Sequence, residues 1–371
     1  MAEPQRYRWL LHVDLDQFQV SVERLRSPEL NGVAVIVGGN GDPTEARKVV
    51  TCASYEARDV GVRAGMPLRA AYRKLPDAIY LPLDVPAYDV ASGEVMAVLR
   101  SFGFPVEVWG WDEAYLGIGV LSGTDEGSVD DATAVAAAHD IRAAIADRNG
   151  LSCSIGISDN KQRAKMATGF AKKSTGDKVF RLDGRNWLEL MGDRPCRDLW
   201  SVGPKTAGKL EELGIATVNE LIATPRDTLI TRFGPHQGNW LYVLCRGGGD
   251  SSITEEPWLA KSHSKSRTFP VDLTTHDEMH SAAAELTHEG LDQVLDEQRV
   301  VFRVAVTVRT TTFFTRTKSR KLAAPTTTYD EIAPVVAALL DDFELDRPVR
   351  LLGVRLDLVT EDEPESVGVD S

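Results

Sequence analysis

Asp14, in the run LLHVDLDQF, and the adjacent pair Asp112 and Glu113, in VWGWDEAYLGIG, are the residues of this chain best placed to do chemistry. Each acid sits in a short apolar and β-branched segment: Leu10, Leu11 and Val13 precede Asp14, and Val106, Val108, Tyr115, Leu116 and Ile118 flank the pair. Such segments read as buried strands. An ionised carboxylate is costly to bury unless it is paired or bound to a cation. Carboxylates on neighbouring core strands therefore suggest a divalent metal, and Mg²⁺ in particular takes oxygen ligands and is commonly shared between carboxylates and substrate phosphates. On spacing alone the acids fit a strand end and a turn equally well, so the surrounding elements have to decide.

Length and composition bound those elements. The chain has 371 residues, 43% hydrophobic and 7% aromatic, enough for two or three domains with their own cores. Cys52, Cys153, Cys196 and Cys245 are scattered without C-x-x-C spacing, which indicates neither a zinc site nor a disulfide framework and suits a reducing cytosol. The first residues hold too short an apolar run for a signal peptide, and no apolar stretch reaches membrane-spanning length, so a soluble, cytoplasmic protein with no membrane partner is expected. A net charge of −13 argues weakly against nucleic acid, but its distribution matters more. Acids gather in Asp125 to Asp131, Asp341 to Asp346 and Glu361 to Asp370, whereas Arg303, Arg309, Arg316, Lys318, Arg320 and Lys321 crowd one C-terminal stretch. A locally basic face on an acidic protein fits DNA.

Along the chain, FQVSVERLR reads as a helix start, VAVIVGG as a buried strand, GGNGDP as a glycine-rich turn and KVVTCAS as another strand. Helical runs over Tyr55 to Val60 and Pro67 to Leu75 follow, then a strand near Ile79 and a helix from Tyr88 to Phe102. The alanine-rich stretch Asp131 to Asp147 is a packing helix, LSCSIGIS a strand and NKQRAKMATGFAKK a basic helix. From Arg194 short helices joined by glycine turns lead to SVGPKTAGKL, read as a hairpin between two short helices whose exposed N–H groups at Gly203 can hold a DNA phosphate. RGGGDSS looks like a flexible linker. Beyond it, three β-rich runs alternate with helices at His276 to Glu297 and Tyr329 to Leu340.

In order, DLDQFQVSVE, TCASYEARDVGVRAGMP, WDEAYLGIG, SIGISDNKQRAKMATGFAK, SVGPKTAGKL and RPVRLLGVRL resemble the motifs of the Y-family translesion DNA polymerases, polymerase IV class, from about residue 8 to 358. The resemblance implies an α+β multidomain, right-hand polymerase. Its palm would be residues 1–22 and 79–170, its fingers 23–78, a helical thumb with helix-hairpin-helix 171–239, a linker 240–252, a little finger 253–360 and a disordered acidic tail 361–371. It implies two Mg²⁺ ions, with Mn²⁺ as a substitute, on Asp14, Asp112, Glu113 and the carbonyl of Leu15. Tyr55, Arg58 and Lys161 would reach the triphosphate, helped by backbone N–H groups of Phe18 and Gln19, with Gly65 and Met66 roofing the nascent pair. Gly203, Lys205, Arg309, Arg316 and Lys318 would contact DNA. The implied partners are primer-template DNA and nucleoside triphosphates, for a monomer.

Departures from the family pattern carry their own expectations. Cys52 stands where a threonine is usual in the nucleotide site, and is a weaker hydrogen-bond partner. Gln19 stands where an aromatic ring usually rejects a 2′-hydroxyl. A flexible amide fills less volume and can bond a hydroxyl, so relaxed exclusion of ribonucleotides is expected, unless Gln19 reaches a neighbour and still blocks the pocket. Trp109 and Trp111 read as packing residues. The tail VTEDEPESVGVDS shows no peptide for a sliding clamp. A nucleotidyl cyclase, which uses a similar palm, and a catalytically weak DNA-binding scaffold are the alternatives; a cyclase has no need of a thumb hairpin or a basic last domain, and a scaffold has no need to keep all three acids.

Overall fold

A computed structural model describes residues 5–121 and 130–359. The acidic tail 361–371 and most of the acidic run from Asp125 lie outside the described residues. The chain divides into two compact units. One runs to Pro43 and adds Val49–Met66 and Ala70–Pro257; the other comprises Thr44–Lys48, Pro67–Arg69 and the chain from Trp258.

The first unit is organised on a five-stranded sheet in the order Val106–Val108, Glu113–Val120, Tyr7–Leu15, Cys153–Ser158, Val179–Arg181. Only the last pair is parallel. Alternation along the central strand sorts its side chains. Trp9, Leu11, Val13 and Leu15 enter the main core with the helices Val85–Arg100 and Asp131–Asn149. Leu10, His12 and Asp14 point the other way, toward the helix Lys161–Lys173, where His12 Nδ1 lies 2.8 Å from Thr168 Oγ1. That helix packs so closely that a Cβ at Gly156 would lie 2.1 Å from the Ala164 carbonyl oxygen, which explains glycine in SIGIS. A smaller sheet, Cys52–Ala53, Val35–Val37, Ile79–Leu81, carries the short helix Tyr55–Asp59. Short helices from Trp187–Met191 to Pro235–Cys245 enclose a separate core of Leu210, Leu221, Leu229, Leu241 and Leu244.

RGGGDSS is not a flexible linker. The helix Pro235–Cys245 already occupies the first part of the expected 240–252 segment. Gly247, at φ 76°, ends it, and Gly248 N donates to the Val243 carbonyl at 3.0 Å. A Cβ at Gly249 would meet Gln162 Oε1 at 2.0 Å and Asn160 Oδ1 at 2.6 Å. Asp250 N donates to Gln162 Oε1, and Lys161 N donates to the Asp250 carbonyl, each at 2.8 Å. These glycines permit close packing rather than freedom.

The second unit is an antiparallel sheet in the order Thr315–Thr326, Val301–Thr310, Val349–Leu358, Ser262–Leu273, with the helices His276–Asp296 and Tyr329–Asp341 on one face. Val304, Val306, Val308, Leu352, Val354 and Leu356 form its core with those helices. The long β-rich run that the sequence left undivided is a hairpin turning at Thr311 to Phe314. Among the described residues no helix is long and apolar enough to cross a membrane.

Candidate active site

Strand pairing brings the acids together. Asp14 is the register partner of Glu113, and Leu15 N donates to the Asp112 carbonyl at 2.8 Å, so acids about a hundred residues apart in sequence meet at one end of the sheet. Their charges are crowded. Burial first, then the charges of Asp14 and Glu113, push the Asp112 carboxyl above its ordinary value. Two lysines of the Lys161–Lys173 helix answer the other two acids: Lys172 Nζ lies 2.5 Å from Asp14 Oδ1, and Lys165 Nζ pairs with Glu113 Oε2. His12 Nε2 lies 3.3 Å from the same Glu113 oxygen, so an N–H on that nitrogen faces the carboxylate. The imidazole, followed by Lys165, holds the Glu113 carboxyl down at about 2, while burial lowers the pKa of His12 itself.

A cleft of about 270 Å³ opens beside the acids, lined by Asp14, Leu15, Asp112 and Lys172 on one side and by Thr51, Cys52 and Arg58 on the other. Gln17, Phe18 and Gln19 close its end. Gln17 adopts a left-handed conformation at φ 43° and starts the helix Phe18–Arg26, whose first intrahelical bond runs from Ser21 N to the Gln17 carbonyl at 2.9 Å. The N–H groups of Phe18, Gln19 and Val20 precede that bond, and such groups at a helix start favour a phosphate. Phe18 contributes its backbone only, since its ring is buried against Tyr88.

Across the cleft, Arg58 Nε donates to the Ala53 carbonyl at 2.8 Å, which orients its guanidinium, and the guanidinium lies over the Tyr55 ring. Tyr55 donates its hydroxyl to Asp16 Oδ1 at 3.0 Å; burial and Asp16 raise its pKa, keeping it a neutral phenol. Asp16 is buried and also accepts from Ser152 and Ser154, so it serves as a scaffold behind the cleft. Gly65, at φ 82°, and Met66 follow Ala64, which lines the cleft. Gln19 Oε1 lies 2.7 Å from Thr51 Oγ1, which is also 3.0 Å from the Val37 carbonyl. One hydroxyl proton cannot serve two acceptors. The arrangement closes when Gln19 turns its amide nitrogen toward Thr51 and the hydroxyl donates to Val37.

Lys161 is not brought to this cleft. Its side chain is 6% exposed and its Nζ is held by Glu107 at 2.8 Å and Asp250 at 3.0 Å. Along the same helix, Lys172 takes the place at the cleft that the sequence reading gave to Lys161. The signal was present: Lys161, Lys165 and Lys172 fall at helical spacings on one face, and eleven residues at 1.5 Å rise separate the two ends by about 16 Å. Trp109 and Trp111 pack as expected, Trp109 against Tyr115 and Trp200, and Trp111 against Tyr88 with its Nε1 donating to Asp89.

The expected DNA contacts separate. Gly203 caps the helix Pro204–Glu211, which carries Lys205, but the element before it is a single 3₁₀ turn, Cys196–Asp198, rather than a helix. In the second unit, Arg309 lies on the sheet face away from the helices, whereas Arg316 and Lys318 alternate onto the helix side. Lys318 Nζ is committed to the Asp342 carbonyl and lies over the Phe343 ring. The open face instead gathers Ser264, Ser266, Thr268, Arg355, Arg303, Thr317, Ser319 and Lys321 around Arg309, a set scattered over four strands.

Residues 13–169 match the impB/mucB/samB family, 260–368 its C-terminal domain, and 197–248 a thumb domain described for DNA polymerase-iota. The chain is 57% identical over 351 residues to DNA polymerase IV 2 of Mycobacterium tuberculosis, covering 95% of this chain and 98% of that protein. It belongs to the Y-family DNA polymerases, polymerase IV class. DNA polymerase IV of Methanoculleus marisnigri is 35% identical over 352 residues, covering 95% of this chain and 94% of that one. Among solved structures, a Y-family chimera of Dbh and Dpo4 superposes with a TM-score of 0.81 at 24% identity, covering 94% of this chain and 98% of its own. The family fold is the right hand of palm, fingers, helical thumb and little finger, and the mixed α/β architecture is that fold.

Proposed function

We propose that the chain is a template-dependent, error-prone translesion DNA polymerase that transfers a nucleotidyl group from a nucleoside triphosphate to a primer 3′-hydroxyl at the Asp14, Asp112 and Glu113 edge. The observation that carries this reading is the cleft itself, in which carboxylates face the start of the helix Phe18–Arg26, Arg58 and Lys172. On this reading residues 1–22 and 79–170 are the palm, 23–78 the fingers, 171–239 the thumb and 253–360 the little finger.

The residues fit divalent cations. Asp112 is pushed up by burial and then by two neighbouring carboxylates, and added positive charge relieves both. Asp14, Asp112, Glu113 and the Leu15 carbonyl, all oxygen donors, would hold two Mg²⁺ ions, with Mn²⁺ able to substitute. When bound, such ions supply Lewis acidity that lowers the pKa of the primer hydroxyl and offsets charge on the leaving pyrophosphate. The chain's own groups do the rest. N–H groups of Phe18 and Gln19 orient the phosphates, and Arg58 and Lys172 bind their outer oxygens. Buried His12 and partly exposed Lys165 fix the Glu113 carboxylate and keep it ionised.

Gln19 occupies the sugar end of the cleft. Its bond to Thr51 restrains the amide, yet a side-chain amide still offers a polar group where an aromatic ring would offer only bulk, so ribonucleotides are accepted more readily. The open face of the second unit's sheet, with Arg303, Arg309, Lys321 and Arg355 among small hydroxyl residues, suits the DNA backbone, as do Gly203 and Lys205 of the thumb. Primer extension on a defined template, with deoxy- and ribonucleotides tested separately, checks the reading. Extension that disappears in Asp112→Ala is the expected result. Extension that survives the substitution, or none in the parent, would refute it.

A further inference from the structure

The second unit carries a cluster of metal-ligating side chains that nucleotidyl transfer does not use. His276 and His280 stand four residues apart at the start of the helix His276–Asp296, and Asp341 ends the helix Tyr329–Asp341 packed beside it. Asp341 Oδ1 lies 2.8 Å from His280 Nε2 and 3.8 Å from His276 Nδ1. The three ligand atoms all fall within 4.8 Å of one another.

We propose that His276, His280 and Asp341 bind one transition-metal dication of the Zn²⁺ class. Zn²⁺ takes imidazole nitrogen at about 2.0 to 2.1 Å and carboxylate oxygen at about 2.0 to 2.2 Å in a tetrahedron, which sets ligand atoms roughly 3.3 Å apart. The 2.8 and 3.8 Å separations bracket that value, so small side-chain rotations complete the site. Two histidines at i and i+4 share one helix face, the usual arrangement for paired metal-binding imidazoles. Exposure of the cluster leaves the fourth position to water.

Neighbouring charges are arranged for a cation. Asp341 lies at the C-terminal end of its helix, where carbonyl dipoles favour positive charge. The start of the other helix is the unfavourable end, but its first turn carries Asp277 and Glu278. Two of the other acids nearby are already occupied. Glu278 closes a capping box with Thr275, and Asp342 pairs with Arg320. Asp341 is thus the carboxylate directed at both imidazoles. A bound ion would clasp the first turn of one helix to the last turn of the other, across the end of a cavity of about 310 Å³ that His280 lines with Ala284 and Tyr329. Hard Mg²⁺ does not compete for such a site, since it prefers all-oxygen ligands.

The test uses the full chain freed of metal. Zn²⁺ is titrated against a chromophoric chelator and Co²⁺ is followed by its d–d absorption, for the parent, His276→Ala and Asp341→Asn. His276 is largely exposed and its removal breaks no hydrogen bond, so His276→Ala should fold. The expected result is one equivalent of Co²⁺ with a tetrahedral spectrum in the parent. Affinity in both variants should fall by at least the roughly 10- to 100-fold lost when an outer-shell partner is removed, and Mg²⁺-supported primer extension should be unchanged in His276→Ala. Equal Zn²⁺ and Co²⁺ binding in the parent and both variants would place the ions elsewhere and overturn the proposal, as would no binding in the parent.

Discussion

Substituting Lys161 and Lys172 separately puts the active-site assignment at risk. Lys172 touches Asp14 at the cleft, and we assign it to the outer oxygens of the triphosphate. A hydrogen bond to a charged group contributes about 1.5 to 3 kcal/mol, so Lys172→Ala should raise the nucleotide KM by about 10- to 150-fold. The same change removes the ammonium that competes for Asp14, so the Mg²⁺ concentration at half-activity should stay level or fall. Lys161→Ala should behave differently. It strips a buried ammonium from Glu107 and Asp250, and breaking a buried pair costs about 3 to 5 kcal/mol, the lower end applying here because Asp250 is 48% exposed. For a unit of this size, about 3 kcal/mol lowers the melting temperature by about 6 to 12 °C. Single-nucleotide extension and circular-dichroism melts on both variants decide the matter. A tenfold rise in nucleotide KM for Lys161→Ala with unchanged melting, and none for Lys172→Ala, refutes the reasoning.

Three further outcomes are expected. Gln19→Phe should increase the preference for deoxy- over ribonucleotides by about 10-fold or more, measured as the ratio of kcat/KM values; the same preference in both proteins removes Gln19 from the sugar site. Gly249→Ala should cost about 1 to 3 kcal/mol, because the new methyl falls on Gln162 and Asn160, and a calorimetric melt no lower than the parent's contradicts this packing. Arg309→Ala should reduce the salt dependence of duplex binding by about one unit of slope, whereas Lys318→Ala, whose ammonium is held at Asp342, should leave the slope unchanged.

How much of the site was legible follows from which patterns are local. Asp14, Asp112 and Glu113 could be singled out because each sits in an apolar, β-branched run that marks a buried strand, although spacing alone left the choice open and the neighbouring motifs decided it, and the helix Phe18–Arg26 because its sequence is periodic from its first residue. The short strand Cys52–Ala53 was overestimated, since an apolar run marks burial without showing how many residues pair. The placement of Lys161 failed for a different reason. Helical periodicity shows that three lysines share a face, but which end of that face meets the acids depends on how the helix lies across the sheet, and this is set by the close approach at Gly156. The glycines after Cys245 were misread because composition reports conformational freedom, whereas here the missing side chains make room for Trp187 and Arg163 at Gly247, Val243 at Gly248, and Gln162 and Asn160 at Gly249. The open basic face of the second unit's sheet was only partly visible because β alternation divides a contiguous basic stretch between two faces, while Arg355 and the serines come from other strands.

The lysine row also explains how this site can be stable before it is used. Three carboxylates, partly buried at one end of a sheet, lose water and repel one another, and the raised Asp112 reflects the burial first and the repulsion second. Lys165 and Lys172 offset it from one helix, each through a flexible four-carbon stem, and neither ammonium is sealed from water, with side chains 24% and 30% exposed. Lys161, at 6%, is sealed. Exposure therefore separates the roles along a single helix face. A partly exposed ammonium can leave its carboxylate at modest cost when stronger cationic charge and a triphosphate arrive, whereas a sealed one would leave two acids uncompensated. The end of the helix that holds the fold is fixed, and the end that lines the cleft is free to shift.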